Sequence, residues 1–193
     1  AESLLASATT IDSGSGGADS ETATDEDTLV RELVFLQEGI ADSQQLLDGL
    51  ASRPDRQIEV VVLTADRGGI DQITEALAGR SELDAVHFVS HGNASGVQLG
   101  STWLSGGSLT DHSLDILQWQ DSLTSEADLL FYGCDLASSS EGRQLLNTVQ
   151  ALTGADVAAS VDDTGHAALG GDWELEFSAG DVATEVAFTA EAQ

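Results

Sequence analysis

DAVHFVSHGNASG, residues 84 to 96, begins as an apolar run and breaks off in Ser90-His91-Gly92, followed by a small polar loop. A short continuous apolar run is the pattern of a strand covered on both faces in a parallel sheet. Here the run delivers a histidine at its tip. ADLLFYGCDLASSSEG, residues 127 to 142, has the same design. The residue delivered there is Cys134, the only cysteine in the chain.

The segments around these two alternate between strand and helix patterns. ELVFL (32–36) reads as a strand. DSQQLLDGL (42–50) reads as a helix, with Asp42 as N-cap and Leu46, Leu47 and Leu50 on one face. IEVVVL (58–63) is rich in β-branched residues and reads as a strand buried on both faces. GGIDQITEALAGR follows as a helix with Ile70, Ile73 and Leu77 inward and Gly79 closing it. VQLG and TWLS form a short hairpin-like excursion. SLTDHSLDILQWQDSL (108–123) carries a helix with Leu114, Leu117 and Trp119 turned inward. SSEGRQLLNTVQALTG (139–154) is a helix with Leu145, Leu146, Val149 and Leu152 inward and Gly154 as its cap. ADVAAS (155–160) is a strand, and WELEF and VATEVAF alternate like antiparallel strands with one wet face.

The fold class expected is therefore α/β: a three-layer αβα sandwich with a mostly parallel sheet and antiparallel strands at its C-terminal end. Residues 1–28 are rich in Ser, Thr, Gly, Asp and Glu and read as an acidic arm or linker. LLASATTI within it is the exception, an extended segment able to pair with another strand. Residues 29–193 form the α/β domain.

Composition narrows the partners. The chain has 193 residues, 34 acidic and 6 basic, for a net charge of −28. All six basic residues are arginine, so Lys–Asn isopeptide crosslinks are ruled out. Such a surface repels nucleic acid and anionic lipid, and suits bound cations or high salt. No run of 18 apolar residues is present, so membrane insertion is not expected. No basic segment followed by an apolar core opens the sequence. One cysteine allows no internal disulfide. The lysine-free, Gly/Ser/Thr/Asp-rich composition points to a secreted bacterial surface protein, where a lone thiol is either buried and inert or has a task.

In an open parallel sheet, functional groups gather beyond the carboxyl ends of the strands. His91 and Cys134 both lie just past such ends, each beside a glycine, Gly92 and Gly133. On neighbouring strands, imidazole and thiol would face one cleft, with His91 relaying the thiol proton and backbone N–H groups near Gly92 and at Cys134 stabilising an oxyanion. The plainer reading makes Cys134 a small buried hydrophobe and His91 a surface group.

The Ser90-His91-Gly92 and Tyr132-Gly133-Cys134-Asp135 blocks resemble the His-Gly and Gly-Cys blocks of caspase-like (clan CD) cysteine peptidases. More closely, residues 31 to 178 resemble a caspase-like domain near the start of very large bacterial repeat adhesins. The shared stretches are LVFL, QQLLDGL, VVVL, GIDQITEALAGR, the SHG block, VQLGSTWLS, LLFYGCDLA, LTGADVAAS and TGHAALGGDWELE. The resemblance implies a caspase-like sheet, His91 as base or proton relay, Cys134 as nucleophile and an oxyanion site near Gly92. The chain itself or another peptide is then the substrate.

The resemblance supplies no specificity pocket. Asp162 and Asp163 can line an acidic pocket or serve as turn residues. Asp135 reads as a polar wall beside the nucleophile. The alternative function is a catalytically silent adhesive module, a fibre subunit self-associating by strand addition through its LLASATTI and AFTA ends.

No cofactor is required by this chemistry, though acidic stretches such as 18–27 suit loose calcium binding. His87, His91 and Cys134 match no structural zinc spacing, so no metal ligands are assigned. No EF-hand loop or phosphate-binding glycine motif is present. Trp103, Trp119 and Trp173 read as packing anchors rather than a sugar platform.

Overall fold

The computed structural model describes residues 29–41, 43–50, 54–165 and 171–187. The 1–28 arm, Asp42 and His166 lie outside them, as do most of TGHAALGG and of the AFTA end.

The elements run β1 (Val30–Gln37), α1 (Ser43–Asp48), β2 (Arg56–Leu63), α2 (Gly69–Leu77), β3 (Leu83–Val89), β4 (Gly92–Asn93), β5 (Gly96–Leu99) and β6 (Thr102–Ser105). There follow α3 (Leu109–Gln118), a 3-10 turn (Trp119–Ser122), β7 (Leu123–Tyr132), α4 (Ser140–Thr153), β8 (Asp156–Ala159) and β9 (Phe177–Ala179). Six strands form one sheet in the order β2-β1-β3-β7-β8-β9. The first five are parallel, and β9 runs antiparallel to β8. Strands β4, β5 and β6 make a separate antiparallel sheet. The α/β expectation holds.

Alternation of side chains across the sheet splits the core in two. Leu33, Phe35, Phe88, Leu129 and Phe131 face one way, against α2, α3, α4 and the small sheet. Phe88 stacks between Phe35 and Phe131 with ring centroids 5.6 and 4.5 Å apart. Val34, Leu36, Val89, Leu130 and Tyr132 face the other way, against Leu46 of α1, Trp173 and Ala187. One face thus carries helices and the other carries α1 and the C-terminal segment.

Helix α4 is delimited as its sequence demands. The Ser139 side chain accepts from the Gly142 amide at its start, and Gly154 (φ +74°) ends it in the left-handed region.

Four sequence expectations need correction. β2 is not buried on both faces: it lies at the margin of the sheet, and Val62 is 49% exposed. A continuous apolar run cannot distinguish a central strand from an edge. Helix α3 turns Leu109 and Ile116 inward, while Leu114 is 73% and Leu117 38% exposed; Trp119 is buried as expected. Helix α2 is capped by Ala78 in a right-handed conformation, and Gly79 is not the terminator. WELEF and VATEVAF do not form two strands: only Phe177–Ala179 pairs. The Asp128 carboxylate takes the amides of Ala183 and Thr184 (3.0 and 2.7 Å), and Asp156 takes that of Asp181 (3.0 Å). These amides find side-chain acceptors instead of a ladder.

Candidate functional site

Strands β3 and β7 are adjacent and parallel, and Val89 stands opposite Tyr132 in register. His91 and Cys134 each follow two residues later, so both leave the same carboxyl rim of the sheet from neighbouring strands. The Ser90 amide donates to the Tyr132 carbonyl at 3.2 Å, which carries the pairing one step past the strands. At the next step the two glycines meet. A Cβ on Gly92 would lie 3.0 Å from the Gly133 carbonyl carbon and 3.2 Å from the Cys134 carbonyl oxygen. Only backbones without side chains approach this closely.

The chain on the His91 side is held by the small sheet. The Gln98 amide donates to the His91 carbonyl at 2.8 Å, and the Ser90 hydroxyl donates to the Gln98 carbonyl. Gly92 then pairs with Val97. The single Gln98-to-His91 bond flanks the Gly92–Val97 pair, so by antiparallel alternation Gly92 and Val97 do not bond each other and the Gly92 N–H points away from β5. His91 itself is exposed.

The chain on the Cys134 side is held by β8 and the loop after it. Asp135 has φ +57°, rare for a residue with a side chain, and its amide donates to the Asp162 carbonyl at 2.7 Å. The Leu136 amide returns to the Gly133 carbonyl, and the Ala137 amide reaches Ser160. The half-buried Cys134 thiol donates to the Thr164 carbonyl at 3.6 Å. The start of α4 is tied to the small sheet, because the Ser139 hydroxyl donates to the Ala94 carbonyl.

Asp135, Asp162 and Asp163 all fall near this rim, but the structure groups them differently from the sequence reading. Carboxylate oxygens of Asp162, Asp172 and Glu176 lie within 4.8 Å of one another. These three, not Asp163, are the described side chains whose spacing suits a cation. Burial first, then the negative charges of Glu176 and Asp172, push the Asp162 carboxyl up. Asp163 instead contributes its carbonyl, which accepts from the Asp172 amide at 3.1 Å. Asp172 and Glu176 escaped the sequence reading. Their signal is the acidic face of the alternating DWELEF stretch (172–177), whose pattern matches solvent-facing strand positions.

His87 is not part of this rim. It is fully buried on the α1 face, accepts from the Tyr132 hydroxyl at 3.1 Å and donates to Glu32 at 3.0 Å. Glu32 also takes the Arg56 guanidinium through two nitrogens. Burial lowers the His87 pKa, with Glu32 opposing, so the ring is neutral at pH 7. Burial alone would raise the Glu32 carboxyl, but the His87 and Arg56 contacts outweigh it and hold it below its usual value. His87 and His91 therefore do not form a metal pair: one is consumed in a buried network on a strand, and the other lies beyond its end. Among the described residues, no helix is long and apolar enough to cross a membrane.

The fold defines an αβα protein whose parallel sheet presents two loop tips at a common rim. Residues 33–193 match the family described as a domain of unknown function (DUF4347), and the chain belongs to that family. No curated protein matches the chain.

Proposed function

We propose that this chain is a caspase-like cysteine peptidase domain of a secreted bacterial surface protein, acting on its own parent chain or on a neighbouring peptide. The observation that carries the reading is the delivery of His91 and Cys134 by adjacent parallel strands, in register, to one rim where Gly92 and Gly133 touch. The lysine-free, strongly acidic composition supports the extracellular setting.

In this reading His91 takes the thiol proton as Cys134 Sγ attacks the scissile carbonyl carbon. The Gly92 N–H, left out of its ladder, stabilises the oxyanion. Collapse breaks the C–N bond, and the imidazolium gives its proton to the leaving amine. Water then hydrolyses the thioester, with His91 accepting the proton of water and the thiol being restored. Asp135 and Asp162 flank the nucleophile loop and give that wall negative charge, with Asp163 one residue further along. The chemistry needs no cofactor; calcium would act through the acidic loops around it.

The experiment is cleavage of a mixed peptide library and of the chain itself, wild type against Cys134→Ala and His91→Ala. Cuts that disappear in both variants support the proposal. Cuts unchanged in Cys134→Ala, or no cleavage by the wild type with or without calcium, overturn it and leave the silent adhesive module as the better reading.

A further inference from the structure

β2 closes one end of the main sheet, and no described strand pairs with its outer side. The Val30 amide donates to the Asp55 carbonyl and the Glu38 amide to the Leu63 carbonyl. Along a strand, successive residues direct their N–H and C=O groups to opposite sides. The odd-numbered residues of β2 therefore face β1, and Arg56, Ile58, Val60 and Val62 offer their amides and carbonyls outward.

Natural edge strands are usually protected by proline, lysine, a bulge or short length. β2 has none of these; its charged side chains, Arg56 and Glu59, are engaged by Glu32 and Arg80. It pairs with β1 without a register break over eight residues, RQIEVVVL, and Val62 is half exposed. The opposite margin, β9, is only three residues long. Beside β2, between it and α2, lies an open groove of about 590 Å³ whose lining includes Val61, Val62 and Ala76, with Arg67 and Glu75 paired at its rim. An open backbone ladder next to a groove for alternate side chains is the arrangement that accepts an added strand.

The occupant is indicated by charge and tether. Residues 4–11, LLASATTI, carry no charge in a chain of net charge −28, and match β2 in length. Eighteen residues, 12 to 29, join them to the start of β1. At roughly 3.3 Å per residue that tether reaches up to about 60 Å. Passing β2 needs only about two strand spacings, ~10 Å, and one strand length. A second copy would have to overcome mutual repulsion of two strongly acidic molecules and the cost of association. A tethered segment is present at an effective concentration on the order of millimolar. We propose that residues 4–11 add to the outer side of β2 as a seventh strand of the sheet, covering its open margin within the same molecule.

The test is amide hydrogen exchange by NMR on the full chain, compared with Ala6→Pro/Ala8→Pro, which removes two arm N–H donors and leaves the domain untouched. The expected result is that Ile58, Val60 and Val62 exchange roughly 100-fold more slowly in the wild type, at every protein concentration. Leu129 and Phe131 should be equally protected in both, reporting an intact domain. Three results overturn the proposal: fast exchange of the β2 amides in the wild type, protection that survives the prolines, or protection that grows with concentration. The last would assign the margin to a second copy.

Discussion

Gly92 and Gly133 are in backbone contact, and a Cβ on Gly92 would stand 3.0 Å from the Gly133 carbonyl carbon. This is where the segment carrying His91 meets the segment carrying Cys134. Gly92→Ala must push the two apart by a few tenths of an ångström, at a cost of about 1–2 kcal/mol. We predict a roughly tenfold drop in cleavage with a small loss of melting temperature, since reacting groups tolerate little misplacement. Steady-state kinetics and thermal unfolding on the same preparation check this.

Gly142 supports the same rim from behind. A Cβ there would fall 1.7 Å from the Leu136 carbonyl oxygen, a contact only a shift of backbone can relieve. Gly142→Ala should cost about 3 kcal/mol, near the upper range for overpacking. Ser139→Ala, which removes the cap and the tie to Ala94, should cost ~1 kcal/mol. Denaturant unfolding of both variants measures the order.

The buried Glu32–His87–Tyr132 network predicts acid sensitivity. Burial, opposed by Glu32, lowers the folded His87 pKa below the reference 6.5. The unfolded histidine takes up a proton as pH falls through that value while the folded ring does not. Stability is therefore fully present above about 6.5 and lost below it, by up to ~1.4 kcal/mol per pH unit. Glu32, depressed in the folded state, adds to the loss below its reference 4.5. Urea midpoints at pH 7.5 and 5.5 should differ for the wild type. The difference should shrink in His87→Gln, even though that variant is less stable throughout.

Asp128 anchors the C-terminal segment through the amides of Ala183 and Thr184. Asp128→Ala leaves two N–H groups without that acceptor, costing about 2–3 kcal/mol. Limited proteolysis should cut first within residues 181–187 in the variant and elsewhere in the wild type.

The parallel core was legible because β1, β3 and β7 are buried on both faces and read as continuous apolar runs. The rim was legible because a strand that ends in histidine or cysteine beside glycine marks its own tip. β2 misled because Ile58 and Val60 to Val62 match a central strand, while the exposed Glu59, paired with Arg80, was the mark of an edge. Leu114 and Leu117 misled because α3 has apolar residues on more than one face, and tertiary packing selected Leu109 and Ile116. The C-terminal strands misled because their alternation was real, but the carboxylates of Asp128 and Asp156 from distant strands captured their amides. The grouping of Asp162 with Asp172 and Glu176 likewise comes from loops meeting in space.

The central claim is that Cys134 Sγ forms a covalent acyl intermediate with the help of His91. Acid-quenched intact-mass analysis during peptide turnover tests it most directly. The account predicts an adduct on Cys134 with the mass of the N-terminal fragment of a cleaved peptide less one water, strongly diminished in His91→Ala. Turnover without any adduct on Cys134, or adduct formation at the same rate in His91→Ala, would contradict it.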